Sequence, residues 1–363
     1  MEHGMITIID NIHGTNRKVP ASQVTYETEL AELVKSHGKN IFGVAHMADL
    51  DGVGSAALLM HYFRMPSKNA AFANYDKEHF LKAADEIKAF DPKNAVVVFC
   101  DMGVDPHMAE TIREFLDYLK TKGNLLLWFD HHPWEDSVIE SLAKHLDYLV
   151  AGENPIFCGS EILYLTLCKK DEFGGALTQK IHLSDFKPVD TPEYIALEKV
   201  RFSIGYFLWK SKTPQKKLRL LARWISKGSF DNAFIQKAND AGARLSQKNL
   251  QRMLSSSALV DVRYKIAVGF GDHIDTNAAC RALIAKHDAD IGLFVKKDSV
   301  TGSMRSKDDT VDCSALARAF GGNGHPQAAG FPLDKAAFGP MGSKERKEIL
   351  GLIKEKAVWT YQK

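Results

Sequence analysis

Three short apolar runs in the first half of the chain each end in acidic or imidazole side chains. Ile41 to Ala45 leads into His46-Met47-Ala48-Asp49-Leu50-Asp51-Gly52, Ala95 to Phe99 into Cys100-Asp101, and Asn124 to Phe129 into Asp130-His131-His132. Between these runs the apolar period changes. Ser55 to Phe63 reads as a helix, Phe80, Ala84 and Ile87 recur at helical spacing, and Met108, Ile112, Phe115 and Leu119 mark another helix closed by Gly123. Wholly apolar strands alternating with amphipathic helices predict βαβ units and a parallel sheet buried on both faces. In open α/β sheets, sites lie outside the carboxyl ends of the strands. Three strands would therefore deliver Asp and His to one edge.

At 363 residues the chain is too long for one typical core, so two domains are expected. Residues 158–257 read as mostly helical, with Pro192 and Pro214 near helix starts. After Ser255-Ser256-Ser257 the pattern returns to strands from Val260 to Phe270, then a helix near Asn277 to His287, then a strand from Ile291 to Val295. A Gly-rich turn, Gly321-Gly322-Asn323-Gly324-His325, follows the helix-like Cys313 to Phe320. The expected layout is an extension or added strand over 1–26, an α/β domain with a parallel sheet over 27–230, a helical linker over 231–258, and a smaller α/β domain over 259–363.

A formal net charge of +2 excludes a broadly basic protein that coats a duplex, because such binding scales with the phosphates neutralised. A small substrate or a local basic patch stays open. The five cysteines, Cys100, Cys158, Cys168, Cys280 and Cys313, form no CxxC pair and read as buried free thiols in a reducing compartment. With no signal-peptide pattern and no apolar stretch of about 18 residues, a cytoplasmic protein with no membrane partner is expected.

Asp49, Asp51, Asp101, Asp130, His131 and His132 are hard oxygen or borderline nitrogen donors. That mixture suits Mn²⁺, Mg²⁺, Co²⁺ or Zn²⁺. Carboxylates crowded at one edge repel unless cations neutralise them. Two cations a few Å apart could share a bridging carboxylate and activate a water for in-line attack on phosphorus. Asp101, alone at the end of the central strand, is placed for the bridge. An Asp-x-Asp-Gly turn by itself is ordinary turn chemistry, but three such strand ends in succession are not.

These three segments, in order, resemble the first motifs of the DHH-family phosphoesterases. Gly302-Ser303-Met304-Arg305-Ser306 and Gly321-Gly322-Asn323-Gly324-His325-Pro326-Gln327-Ala328-Ala329-Gly330-Phe331 resemble that family's associated C-terminal domain. The resemblance runs over about residues 38–335. It implies a parallel-sheet catalytic domain, a helical connector and a smaller α/β substrate-binding domain. It also implies that Asp49 and Asp101 bind one metal, that Asp51, Asp101 and His131 bind the other, and that His46 is a further candidate ligand. Mn²⁺ is the expected ion, with Mg²⁺ or Co²⁺ as substitutes, bound at two sites of which the second is the weaker. Asp130 would orient His131, and His132 would meet the substrate phosphate. Arg305 and Ser306, with Gly322, Asn323, Gly324 and His325, would hold the substrate's far phosphate or base from across a cleft.

The sequence departs from the family pattern twice. Many members carry a His four residues before the first motif Asp, whereas His46 stands three before Asp49. The fourth-motif Asp is also missing, and Ser203 or Ile204 stands in its place. Asp231, one helix later, is a weak substitute, and Asp185 and Asp190, expected in the preceding loop, could fold back to take its place. A weaker second metal site or altered substrate choice is expected. The reaction implied is hydrolysis of a short oligonucleotide, a linear dinucleotide or a 3′,5′-bisphosphate nucleotide. A RecJ-like single-strand exonuclease is the second reading, and a nucleotide-binding protein with reduced turnover the third. The expected partner is a short nucleotide or single-stranded nucleic-acid end, and a homodimer is open.

Overall fold

Val96, Val97, Val98, Phe99 and Cys100 are all fully buried, which requires cover on both faces of their strand. In the computed structural model, Val96, Val98 and Cys100 pack with Val53, Leu59 and Ile162 on one side. Val97 and Phe99 pack with Phe80, Ile112 and Phe115 on the other. This alternation is the period of two that a pleated strand imposes. The structure describes residues 4–168, 171–186, 192–333 and 341–361, with the side chains of 192–196, 323 and 325 outside that description.

Two units divide the chain, Met1–Asn239 and Asp240–Lys363. The first carries strands β1 (Met5–Asp10), β2 (Thr15–Pro20), β3 (Ile41–His46), β4 (Ala70–Ala73), β5 (Val96–Cys100), β6 (Leu125–Phe129) and β7 (Tyr148–Ala151). They form one sheet in the order β2-β1-β7-β6-β5-β3-β4. Strands β3 to β7 run parallel. Residues 5–20 form a hairpin whose first strand pairs antiparallel with β7, so the added-strand alternative for the N-terminus describes them. The outer strand β2 exposes Asn16, Arg17 and Lys18, and charged side chains on such an edge discourage further pairing.

The second unit holds β8 (Ala258–Asp261), β9 (Lys265–Gly271), β10 (Ile291–Lys296), β11 (Thr301–Ser306), β12 (Asn323–His325) and β13 (Ala328–Pro332), in the order β12-β13-β11-β10-β9-β8. Only the pair β9 and β10 is parallel among these described strands. The helix Thr276–His287 covers one face through Ala279, Cys280 and Leu283. Helices Cys313–Ala319 and Ser343–Tyr361 cover the other through Leu316, Ile349 and Ile353. The helix Ala233–Ser255 contains the boundary between the units. All five cysteines are buried and free. Among the described residues, no helix is long and apolar enough to cross a membrane.

Candidate metal centre

The carboxyl ends of β3, β5 and β6 lie side by side, so the residues that follow them converge. Asp49 caps the helix Leu50–Tyr62, its Oδ1 accepting from the Gly52 amide at 3.0 Å. Asp51 sits in the first turn of that helix and is anchored from outside: the Gly159 amide donates to its Oδ2 at 2.7 Å and the Ser160 amide to its Oδ1 at 2.8 Å. Asp101 follows β5 with φ of +55°, a left-handed conformation that Asp tolerates better than most residues and that tends to persist at functional sites.

Gly159 is the floor of this cluster. A Cβ there would stand 2.9 Å from Asp101 Cβ and 3.1 Å from Asp51 Oδ2. Gly159→Ala should therefore push the two carboxylates apart, lowering stability by about 1–3 kcal/mol and weakening metal binding more than tenfold. Thermal melting with and without Mn²⁺ measures both, and a variant that binds Mn²⁺ normally would refute this reading of the floor.

Three overlapping groups have donor atoms close enough to share an ion: His46, Asp49 and Asp101; Asp101, His131 and His132; and Asp51, His131 and Asp185. His46 Nδ1 lies 2.7 Å from Asp49 Oδ2 and 3.7 Å from Asp101 Oδ2. His131 Nε2 lies 3.4 Å from Asp101 Oδ1, 3.9 Å from Asp51 Oδ2 and 3.8 Å from Asp185 Oδ2. Asp101 and His131 each belong to two of the three groups, and Asp101 is the carboxylate common to two. It is buried, and its Oδ2 has no hydrogen-bond partner.

Electrostatics mark the same point. Burial, then the charges of Asp49 and Asp51, push the Asp101 carboxyl up to about 7. Burial and Asp51 likewise push Asp185 up to about 7. Burial would lower the imidazoles, yet Asp101 and Asp51 raise His131 to about 10, and Asp49 and Asp101 raise His46 well above its usual range. An orphaned buried oxygen amid surplus negative charge, with oxygen and imidazole donors, fits a divalent cation.

The structure corrects one expected role. Asp130 orients His132, not His131: its Oδ1 lies 2.9 Å from His132 Nδ1, and its Oδ2 accepts from the His132 amide at 3.2 Å. The reason is local, since an Asp that accepts from the amide two residues on turns the chain back onto itself. His131 therefore faces Asp101 while His132 faces Asp130. Trp134 Nε1 also donates to Asp130 Oδ2, at 2.7 Å. Burial would lower His132, but the Asp130 charge raises it to about 8.

Tyr75, beyond the end of β4, was not anticipated. Its hydroxyl lies 3.3 Å from His132 Nε2 and 3.4 Å from His46 Nδ1, and its ring stacks on His46 at 4.4 Å. Burial and Asp101 push that hydroxyl well above its ordinary range, keeping it protonated.

The residues near the missing fourth-motif position are placed as follows. Ser203 is buried inside the helix Pro192–Lys210, its Oγ donating to the carbonyls of Lys199 and Ile235, and Ile204 is core. Asp231 pairs with Lys199 at 3.4 Å. Asp190 lies outside the described residues. Asp185, expected in a loop, stands in the last turn of the helix Glu172–Phe186 and reaches His131.

In the second unit, Arg305 on β11 donates through Nε to Asn277 Oδ1 at 2.9 Å and through Nη1 to the Met304 carbonyl at 2.8 Å. Ser306 Oγ is a buried hydroxyl with no hydrogen-bond partner. A Cβ at Gly322 would stand 2.1 Å from the Gly330 carbonyl oxygen, so glycine is required there by packing alone. Gly324 has φ of +142° and stands with Asn323 and His325 on β12.

Residues 40–184 match the DHH family, N-terminal domain. No curated protein matches the sequence. Among solved structures, the chain is similar to the DHH domain of a member of the s1p family of ribosomal proteins, with a TM-score of 0.53 and 15% identity over 91% of this chain and 90% of that one. It also resembles an exopolyphosphatase-related protein from Bacteroides fragilis, with a TM-score of 0.43 and 15% identity over 91% and 95% of the two chains. A pGpG-specific phosphodiesterase from Vibrio cholerae gives a TM-score of 0.43 and 9% identity over 87% and 99%. The first of these likenesses is one of fold.

Proposed function

We propose, from the match of residues 40–184 to the DHH family, N-terminal domain, that the protein is a metal-dependent phosphoesterase. Its substrates on this reading are short oligonucleotides, linear dinucleotides or 3′,5′-bisphosphate nucleotides. The observation that carries the reading is the buried Asp101 oxygen without a partner, set among Asp49, Asp51 and His131. Asp49 and Asp101 would hold one ion, with His46 beside them. Asp51, Asp101 and His131 would hold the other, with Asp185 standing in for the carboxylate the sequence lacks. Bound there, Mn²⁺ or a similar ion supplies Lewis-acid charge against phosphoryl oxygens and a lowered pKa for water.

The chain's own side chains do the rest. Asp130 takes the Nδ1 side of His132 and so leaves Nε2 to face a phosphate oxygen. Tyr75 steadies that edge of the ring. Arg305 and Ser306, with Gly322, Asn323, Gly324 and His325, would bind the substrate's far phosphate or base, because a guanidinium fork and glycine-rich backbone amides suit such a group.

Asp185→Asn should weaken one Mn²⁺ site about tenfold or more and leave the other nearly unchanged. Equilibrium dialysis would show one tight and one weak ion per chain, and two unaltered sites would remove Asp185 from the ligand set. The function itself is tested by incubating the protein and Mn²⁺ with labelled RNA and DNA from dimers to about 20-mers and a 3′,5′-bisphosphate nucleotide. Mn²⁺-dependent product, fastest on the shortest substrates, is expected. Processive digestion of long single strands would favour the exonuclease reading, and ligand binding without any product would favour a binding protein.

A further inference from the structure

The chain carries a formal charge of only +2, yet its cations are not evenly spread. An open cavity of about 820 Å³ begins at Met47 and Ala48, the two residues between His46 and Asp49, and at Asn74, whose Oδ1 lies 3.2 Å from His46 Nε2. It runs to the start of the helix Pro214–Ile225, where Lys82, Lys212 and Lys216 line it. A second cavity of about 510 Å³ shares Thr213, Lys216 and Arg219 with the first and continues to Lys68, Lys217 and Arg223. All of these residues belong to the first unit.

Asp85 and Glu86 also line the first cavity, and Lys68 and Lys217 lie over the rings of Phe90 and Phe234, but much of the positive charge has no carboxylate partner. Arg219 pairs with Glu86, and Lys82 with Glu78. Lys212, Lys216, Lys217, Arg223 and Lys68 have no carboxylate within ion-pair distance among the described residues, and all but Lys217 are exposed. The helix itself is docked firmly: the Gln215 side chain accepts from the Phe72 amide at 2.9 Å and donates to the Phe72 carbonyl, at the outer edge of β4. Its first turn has no side-chain cap, so its free N–H groups add positive potential at the same place. The lysines are therefore presented on a fixed surface that starts beside the metal cluster.

We propose that this track binds the phosphates of a single-stranded oligonucleotide whose end is held at the metal centre. The inference rests on the phosphoesterase reading and extends it from the cleaved end to the rest of the strand. Cations alone would suit any polyanion. The first cavity also presents Met47, Leu208 and Pro214, apolar surface against which bases can lie while phosphates meet the lysines. A charged groove combined with apolar base contacts is the mode of sequence-tolerant single-strand binding. Inorganic polyphosphate would use only the charge.

The test is the affinity of the full-length protein for a labelled single-stranded RNA of about six nucleotides. It is measured in EDTA, which stops turnover, across about 50 to 200 mM salt. The double variant Lys212→Gln, Lys216→Gln should bind roughly tenfold more weakly. Its log–log salt slope should shrink by about 1.4, at roughly 0.7 per single-strand phosphate contact. The variant Lys212→Arg, Lys216→Arg should keep both affinity and slope, which separates lost charge from lost fold. An unchanged slope in the Gln variant would overturn the track, and so would an Arg variant as weak as the Gln one. Polyphosphate competing as well per phosphate as the RNA would overturn the single-strand assignment. Binding is read without catalysis, so an inactive protein that still shows the slope change supports the track while refuting the phosphoesterase.

Discussion

Asp101→Asn is expected to cut Mn²⁺-dependent turnover by roughly 10³-fold or more, while making the metal-free protein more stable. The two effects share one cause. Asp101 is buried, one of its oxygens has no partner, and burial with Asp49 and Asp51 raises its carboxyl from an ordinary 3.8 to about 7. Across pH 4 to 7 the folded chain holds a proton that the unfolded chain has lost. Stability therefore falls as pH rises through that window, and the whole penalty is present above pH 7. Asn keeps the shape without the charge. In EDTA at pH 8, urea unfolding should show a gain of about 1–3 kcal/mol, shrinking toward zero near pH 4. A variant that is less stable at pH 8 would mean that the pairs with His46 and His131 outweigh burial, and Asp101 would then be a structural anion instead of a metal bridge.

His132→Gln carries the second large effect. The Nδ1 of His132 is taken by Asp130, 2.9 Å away, and stands farther, 3.8 Å, from Asp101 Oδ1, while its Nε2 faces Tyr75. It should therefore act on the substrate more than on the ions. A fall in kcat of about 10² to 10³ is expected, with Mn²⁺ stoichiometry and affinity unchanged. Asp130→Asn should cost less, about 10- to 100-fold, because the ring remains and only its orientation and charge support are lost. A His132→Gln variant that loses an ion instead would place His132 among the ligands, with the Asp101, His131 and His132 grouping as its site.

Much of this was legible from residues alone because the signals were strong where they mattered. Val96 to Cys100 is too apolar to be anything but a strand covered on both faces, and the Asp and His at the ends of β3, β5 and β6 had to meet once those strands paired in parallel. Strands β4 and β7 were less visible. Each has four residues, and Ala70-Ala71-Phe72-Ala73 is mostly alanine, a good helix former. Missing β4 meant missing Tyr75, although Asn74-Tyr75-Asp76 after an apolar run has the same form as the other strand ends. The partner of Asp130 was open to local reasoning, since a carboxylate most readily meets the amide two residues on. Asp185 was not, because the helix Glu172–Phe186 reaches the site through tertiary packing against Leu58 and its neighbours. The basic track was hidden for another reason: net charge averages over the chain, and only the fold gathers Lys68, Lys82 and the lysines of residues 212–217 onto one face.

The measurement that tests the central claim most directly is an equilibrium Mn²⁺ titration at pH 8, read from the electron paramagnetic resonance of free Mn²⁺, on the native chain and on Asp101→Asn. The account predicts saturable binding of two ions per chain, one tighter than the other, with both lost or severely weakened when Asp101 becomes Asn. Saturable binding that survives Asp101→Asn unchanged, or no binding by the native chain, would contradict it.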